Sequence, residues 1–102
     1  MIGLLEDKRE AIQDVCSHFG VARLEVFGSG LREDFKPGES DLDLLVDFKP
    51  MESYARVDAY FGLLDALRAL LKQEIDLVMV GAVKNPYIFS EIERTKQLLY
   101  AA

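Results

Sequence analysis

Three short stretches of this 102-residue chain carry side chains in patterns that could do chemistry: Gly28-Ser29, Asp41-Leu42-Asp43 and Asp76. Two aspartates separated by one residue share a face when they lie on a strand, because successive side chains point to opposite sides. Carboxylates paired in this way can bridge divalent cations, and their hard oxygens suit Mg²⁺. In two-metal chemistry at phosphorus the ions sit about 3.5–4 Å apart, one favouring ionisation of the attacking hydroxyl and the other neutralising the leaving group. Asp76, on a neighbouring apolar stretch, is the candidate third carboxylate, as a metal ligand or as acceptor of the nucleophile's proton. Gly28 would let the backbone approach a polyphosphate closely, and Ser29 would offer a hydroxyl and exposed N–H groups beside it. Arg32, three residues further on and on roughly the same side of that turn, could add a charge-assisted bond to a phosphate.

These residues need elements to position them. Val21 to Phe27 is short and rich in branched and aromatic residues and runs into Gly28-Ser29-Gly30, so it is expected to be a strand ending in a tight turn. Leu31 to Asp34 allows a brief helical turn, and Lys36-Pro37-Gly38-Glu39-Ser40 is a loop by its Pro-Gly pair. Asp41 to Phe48 is the second strand, with Leu42, Leu44, Val46 and Phe48 on one face and Asp41, Asp43, Leu45 and Asp47 on the other. Ile75 to Val80, closed by Gly81, is the third and carries Asp76.

Helices are expected around these strands. Leu4, Leu5, Ile12, Val15, Cys16 and Phe19 recur at helical spacing, so Leu4 to Phe19 reads as one helix stopped by Gly20. Ser53 can cap a long helix whose buried stripe is Val57, Tyr60, Phe61, Leu64, Leu67 and Leu71. Asn85-Pro86 is an N-cap and first-turn pair, and Ile88, Ile92, Leu98 and Leu99 extend a final helix behind it. The expected architecture is one α/β (α+β) domain over residues 1–102, a small mixed sheet of about three strands flanked by helices.

Each motif also has a bland reading. Gly-Ser-Gly is common in turns, Asp-x-Asp after a Pro-Gly loop is common as solvated charge where a strand begins, and lone Arg32 and Asp76 fit surface charges. An EF-hand is excluded, since a register from Asp41 puts Leu45 at the fifth position and Val46 where glycine is required. Tyr60 and Phe61 fit the core better than a base-stacking platform, and nothing pairs His18 with a nucleophile. Cys16 falls on the apolar face of its helix and reads as a buried structural thiol.

The order of the motifs is more specific than any one of them. The stretch VFGSGLREDFKPGESDLDLLVDF closely resembles the signature of the minimal nucleotidyltransferase family, within the DNA polymerase β-like superfamily. The later IDLVMV and KNPYIFSEIERTKQLLYAA resemble that family's third strand and terminal helix. The resemblance implies a polymerase β-like fold, with Gly28 and Ser29 in the phosphate-binding turn and Asp41, Asp43 and Asp76 as the catalytic, metal-holding carboxylates. Arg32 matches a basic residue that often follows the turn, and Ser40 the serine before the first aspartate; both would sit with the nucleotide. Eleven residues lie between Ser29 and Asp41, one more than is common in the family, and the Phe35 to Glu39 loop is expected to absorb the difference.

The activity so implied is transfer of AMP from ATP to a hydroxyl, with two Mg²⁺ ions. Family members of this size lack an acceptor-binding domain, and their best-defined role is as antitoxins that adenylylate a tyrosine of a HEPN-type toxin. A non-catalytic antitoxin that only binds its toxin, and an enzyme acting on a small-molecule hydroxyl, are the alternatives. Eighteen acidic against twelve basic residues give a net charge of −6, which argues against a direct nucleic-acid partner and suits a protein partner or a nucleotide carried with Mg²⁺. A single cysteine, no cleavable signal pattern and no stretch of membrane-spanning length lead to the expectation of a cytoplasmic protein with no membrane partner, and the sequence leaves its oligomeric state, homo- or hetero-oligomer, open.

Overall fold

In the computed structural model, which describes residues 2–31, 35–36 and 38–102, the chain forms four strands and four helices among the described residues. Helices α1 (Gly3–Asp7) and α2 (Arg9–His18) precede strand β1 (Val21–Phe27), which runs into a 3-10 turn over Gly28–Leu31. Strand β2 (Leu42–Phe48), helix α3 (Ser53–Leu71) and strand β3 (Ile75–Met79) form a parallel crossover, and helix α4 (Pro86–Thr95) leads into strand β4 (Gln97–Ala101). The sheet order is β3-β2-β1-β4, with β1 antiparallel to both of its neighbours.

Alternation along the strands divides the sheet into two faces. Leu42, Leu44 and Val46 from β2, Leu24 and Val26 from β1, Leu77 from β3 and Leu99 from β4 pack with Leu5, Ile12, Cys16, Leu63 and Leu67 in the main core under α1, α2 and α3. Burial pushes the Cys16 thiol up to about 12, so it is an inert core group, as its place on the helix predicts. The other face carries α4, and Leu45 and Ile92, both buried outside the main cluster, line one small cavity there. No helix among the described residues is long and apolar enough to cross a membrane.

The two central strands and α3 match the sequence reading, and four expectations change. The single helix from Leu4 to Phe19 is two, broken at Lys8 (φ −106°, ψ 9°). The break falls in the polar run Glu6 to Glu10, between the fully buried Leu5 and Ile12, so it opens no gap in the core. Along α3, Val57 and Phe61 are more than half exposed; the buried stripe is Leu63, Leu64, Leu67 and Leu71, while Tyr60 reaches the sheet to donate its hydroxyl to the Leu77 carbonyl at 2.6 Å. Glu52, not Ser53, occupies the N-cap of α3, with no side-chain cap. The final helix stops at Thr95, and residues Gln97–Ala101 make a fourth strand in place of its continuation. Leu98 is 43% exposed and Leu99 1%, a period of two, and their strand pairs with the edge of β1 that would otherwise stay open. Asn85 caps α4 as expected, accepting from the N–H groups of Tyr87 and Ile88.

An ion network ties the end of α4 to the sheet. Lys96 Nζ lies 3.1 Å from Glu25 and 3.0 Å from Glu93, and Glu25 is only 6% exposed at the centre of β1. Burial opposes the Lys96 charge, but the hydrogen bonds to Glu93 and Glu25 outweigh it and hold the ammonium above its usual range. A raised folded value means that the ionic contribution is complete below about pH 10.5 and is lost as pH rises beyond it. Removing one partner strands a buried charge, so Lys96→Ala should destabilise the fold by about 3–5 kcal/mol in urea unfolding at neutral pH. The paired change Glu25→Gln with Lys96→Met should recover most of that loss; equal damage from single and double variants would show that the network is not the cause.

Candidate functional site

Strand register builds the site. Phe27 of β1 pairs with Asp43 of β2, and Asp43 pairs with Asp76 of β3, so the three residues form one row across the sheet. Directly paired residues point to the same face, which places both carboxylates on the open side, away from the main core. Asp41 comes two residues before Asp43, one pleat repeat earlier, just ahead of the first strand residue Leu42. Asp43 is half-buried, and Asp41 and Asp76 are exposed.

Gly28 follows the row directly. Its φ of +62° is in the left-handed region, and a Cβ built on it would run into the Asp43 carboxylate, through Oδ2 first. The absence of a side chain therefore lets the turn backbone and the Asp43 carboxylate occupy adjoining space. Gly30 is equally confined, since a Cβ there would sit 2.6 Å from Val26 Cγ2 and 2.8 Å from Leu42 Cδ1. Both glycines are needed for close approach, one to the carboxylate and one to the core beneath the turn.

The remaining candidates divide. The Ser40 hydroxyl accepts from the Lys36 N–H at 3.3 Å, while the Ser40 N–H donates to the Lys36 carbonyl at 2.9 Å, so this side chain helps close the loop in front of Asp41. Arg32 lies outside the described residues, as does the side chain of Ser29. Among the described residues, no three acidic, histidine or cysteine side chains converge into a ready-made cage for a metal. Asp43 and Asp76 share one face through their register, with Asp41 just ahead of the ladder, and the all-oxygen donor set of these aspartates is of the kind that hard divalent cations accept.

Beside the row, a cleft of about 380 Å³ opens between the turn and α4. Phe27, Gly28 and Leu31 line one wall, and Ile88, Glu91, Ile92 and Thr95 line the other. The Glu91 carboxylate at its rim is held below its usual range by a hydrogen bond from Arg94. The sequence reading assigned no role to this wall, although Ile88, Ile92 and Thr95 at intervals of four and three residues mark one side of a helix.

Known proteins share this sequence pattern and fold. A family model described as a nucleotidyltransferase domain matches residues 8–99. A protein of Methanocaldococcus jannaschii assigned as a protein adenylyltransferase is 39% identical over 82 residues, covering 80% of this chain and 78% of its own. Among solved structures, one assigned as a minimal nucleotidyltransferase superposes with a TM-score of 0.75 at 31% identity, over 91% of this chain and 90% of its own. The MNT antitoxin solved with a tri-AMPylated HEPN toxin of Shewanella oneidensis shares the fold, with a TM-score of 0.61 at 16% identity over 96% of this chain and 73% of that one.

The contact between Gly28 and Asp43 can be tested against a glycine that has strain alone. Gly38 also has a positive φ, +84°, but a Cβ there would meet nothing within 4 Å. Gly38→Ala should therefore cost only the left-handed backbone penalty, about 1–2 kcal/mol. Gly28→Ala should carry that penalty plus the displaced carboxylate, and should melt about 4–8 °C below the Gly38→Ala protein, a difference of about 1 kcal/mol. Identical melting curves would mean that Asp43 yields freely to a methyl group.

Proposed function

Because the chain belongs to the nucleotidyltransferase domain family, we propose that it is a Mg²⁺-dependent protein adenylyltransferase that silences a HEPN-type toxin by transferring AMP from ATP to a hydroxyl of that partner, a tyrosine in the form we favour. The observation that carries this reading is the row of Asp43 and Asp76 with Gly28 fitted against the Asp43 carboxylate. In the reaction the acceptor oxygen bonds to the α-phosphorus, the bond from that phosphorus to the bridging oxygen breaks, and pyrophosphate leaves. Asp41, Asp43 and Asp76 would hold Mg²⁺, whose charge favours ionisation of the hydroxyl and departure of pyrophosphate. Asp76, exposed at the end of the row, would also take the hydroxyl proton.

Other parts of the chain bind and orient. The turn at Gly28, which has no side chain of its own, would be the phosphate-binding turn, with Ser29, Ser40 and Arg32 joining it on the nucleotide. The cleft between Leu31 and Ile92 offers an apolar lining next to that turn for the nucleoside. Two likenesses support a toxin as acceptor: a protein adenylyltransferase assignment in one relative, and an AMPylated HEPN toxin beside the antitoxin in a fold neighbour. The acidic balance of the chain also suits a partner whose own surface must bind RNA.

The test is transfer of label. With Mg²⁺ and ATP labelled at the α-phosphate, the wild-type chain should label its HEPN-type partner, sought first as the product of the adjacent gene. Asp43→Asn should lower the rate by about a thousandfold or more, as expected for loss of several kcal/mol of charge stabilisation. Phenylalanine at the acceptor tyrosine should remove the label. An Asp43→Asn protein that still neutralises the toxin in cells as well as wild type would overturn the catalytic reading in favour of masking by binding alone.

A further inference from the structure

Gln73 is one of two buried polar or charged residues among those described, at 6% exposure, and it stands at the junction of α3 and β3 rather than in any motif. Lys72 before it adopts φ 51° and ψ 47°, a left-handed helix end that turns the chain back toward the sheet. The Gln73 side chain then crosses to the loop in front of β2. Its Oε1 accepts from the Gly38 N–H at 3.0 Å, its Nε2 donates to the Ser40 carbonyl, and a longer bond of 3.5 Å runs from Nε2 to the Glu74 carbonyl. Only an uncharged amide satisfies this pattern, since one end must accept from an N–H while the other donates to carbonyls. The Leu42 N–H, donating to the Glu74 carbonyl at 3.0 Å, continues the connection into the paired strands.

The position of the latch gives it a consequence for the site. Ser40 is three residues before Asp43, Gln73 is three residues before Asp76, and Asp43 and Asp76 are register partners. The peptide that the amide holds is the one leading into Asp41, which lies outside the ladder and has no strand register of its own. We infer that Gln73 is a positioning residue: its amide clamps the loop from Gly38 to Ser40 onto the start of β3 and so sets where the Asp41 carboxylate stands relative to Asp43 and Asp76. The inference rests on the reading of these carboxylates as cation-holding groups. Groups that orient the ligands of a metal in this way commonly change its affinity by 10–100-fold when removed.

Gln73→Met keeps the length of the side chain and removes all three hydrogen bonds; Gln73→Ala replaces it if the methionine variant does not fold. Two measurements are made on the metal-free chain and on the chain with Mn²⁺ as probe. By NMR, exchange of the Gly38 amide should speed up about tenfold or more, because its acceptor is gone. By electron paramagnetic resonance, Mn²⁺ should bind about tenfold more weakly while the melting temperature stays within a few degrees of wild type. A folded variant with unchanged Gly38 exchange, or with freed Gly38 and wild-type Mn²⁺ affinity, overturns the positioning role. A wild-type chain that binds no Mn²⁺ removes the adenylyltransferase reading instead, and faster Gly38 exchange in the variant then still supports the clamp itself.

Discussion

The pairing register of β1, β2 and β3 is the constraint on which the site depends, and the hydrophobic core enforces it. A slip of one residue in β2 would turn Leu42, Leu44 and Val46 to solvent and drive Asp43 into the main core. Those three side chains are at most 1% exposed, and each is worth about 1.5–3 kcal/mol in burial. The wrong register is therefore disfavoured by several kcal/mol before the cost of burying a carboxylate is added. The carboxylates contribute little to choosing this register. They lie where the alternate residues of a well-buried strand must lie, and chemistry on one face is specified by apolar packing on the other.

The open face is organised by different forces. Helix α4 presents its buried Ile92 to Leu45, and at its end Lys96 joins Glu25 and Glu93. One small apolar contact and one ion network thus define the position of the wall that faces Gly28 across the cleft. The rest of α4 gains little from burial, with Tyr87 at 85% exposure and Ile88 and Phe89 about half exposed. The site therefore has a rigid floor, made by the ladder, and a wall anchored mainly at its C-terminal end. That combination leaves the floor fixed while one side of the cleft can adapt.

The legible parts of the molecule are those in which local pattern and tertiary role agree. Val21 to Phe27 ends at a glycine turn and is a strand; Leu42 to Phe48 alternates and is a strand with its carboxylates outward. Asp76 could be singled out because a charge in Ile75-Asp76-Leu77-Val78 must be on the face that the apolar residues leave. Pattern and role diverge elsewhere. Leu98 and Leu99 continue the spacing of Ile88 and Ile92, and only the open edge of β1 decides that they form a strand. Val57 and Phe61 fit the helical stripe of α3, yet the core is reached through Leu63, a residue outside that stripe. Gln73 carries no signal, because its partners are 33 and 35 residues away and meet it only once the crossover from β2 to β3 has closed.

Charge gives the array of carboxylates its final consequence. Asp43 and Asp76 put two acidic groups on the face where, on the proposed reading, the polyphosphate of ATP would lie, with Asp41 just ahead of that row, in a chain whose net charge is already −6. On that reading acidic groups there would disfavour a bare nucleotide, and the described residues lining the cleft add Glu91 and no cation. The same groups would favour a nucleotide that arrives with its divalent cations, since the sign of the interaction is then reversed. On the proposed reading, selectivity for the metal-bound form would follow from leaving the site acidic. A site lined with lysines would hold ATP more tightly, but it would place positive charge where the proposed chemistry requires a cation, and the nucleotide would be bound without the group that activates it.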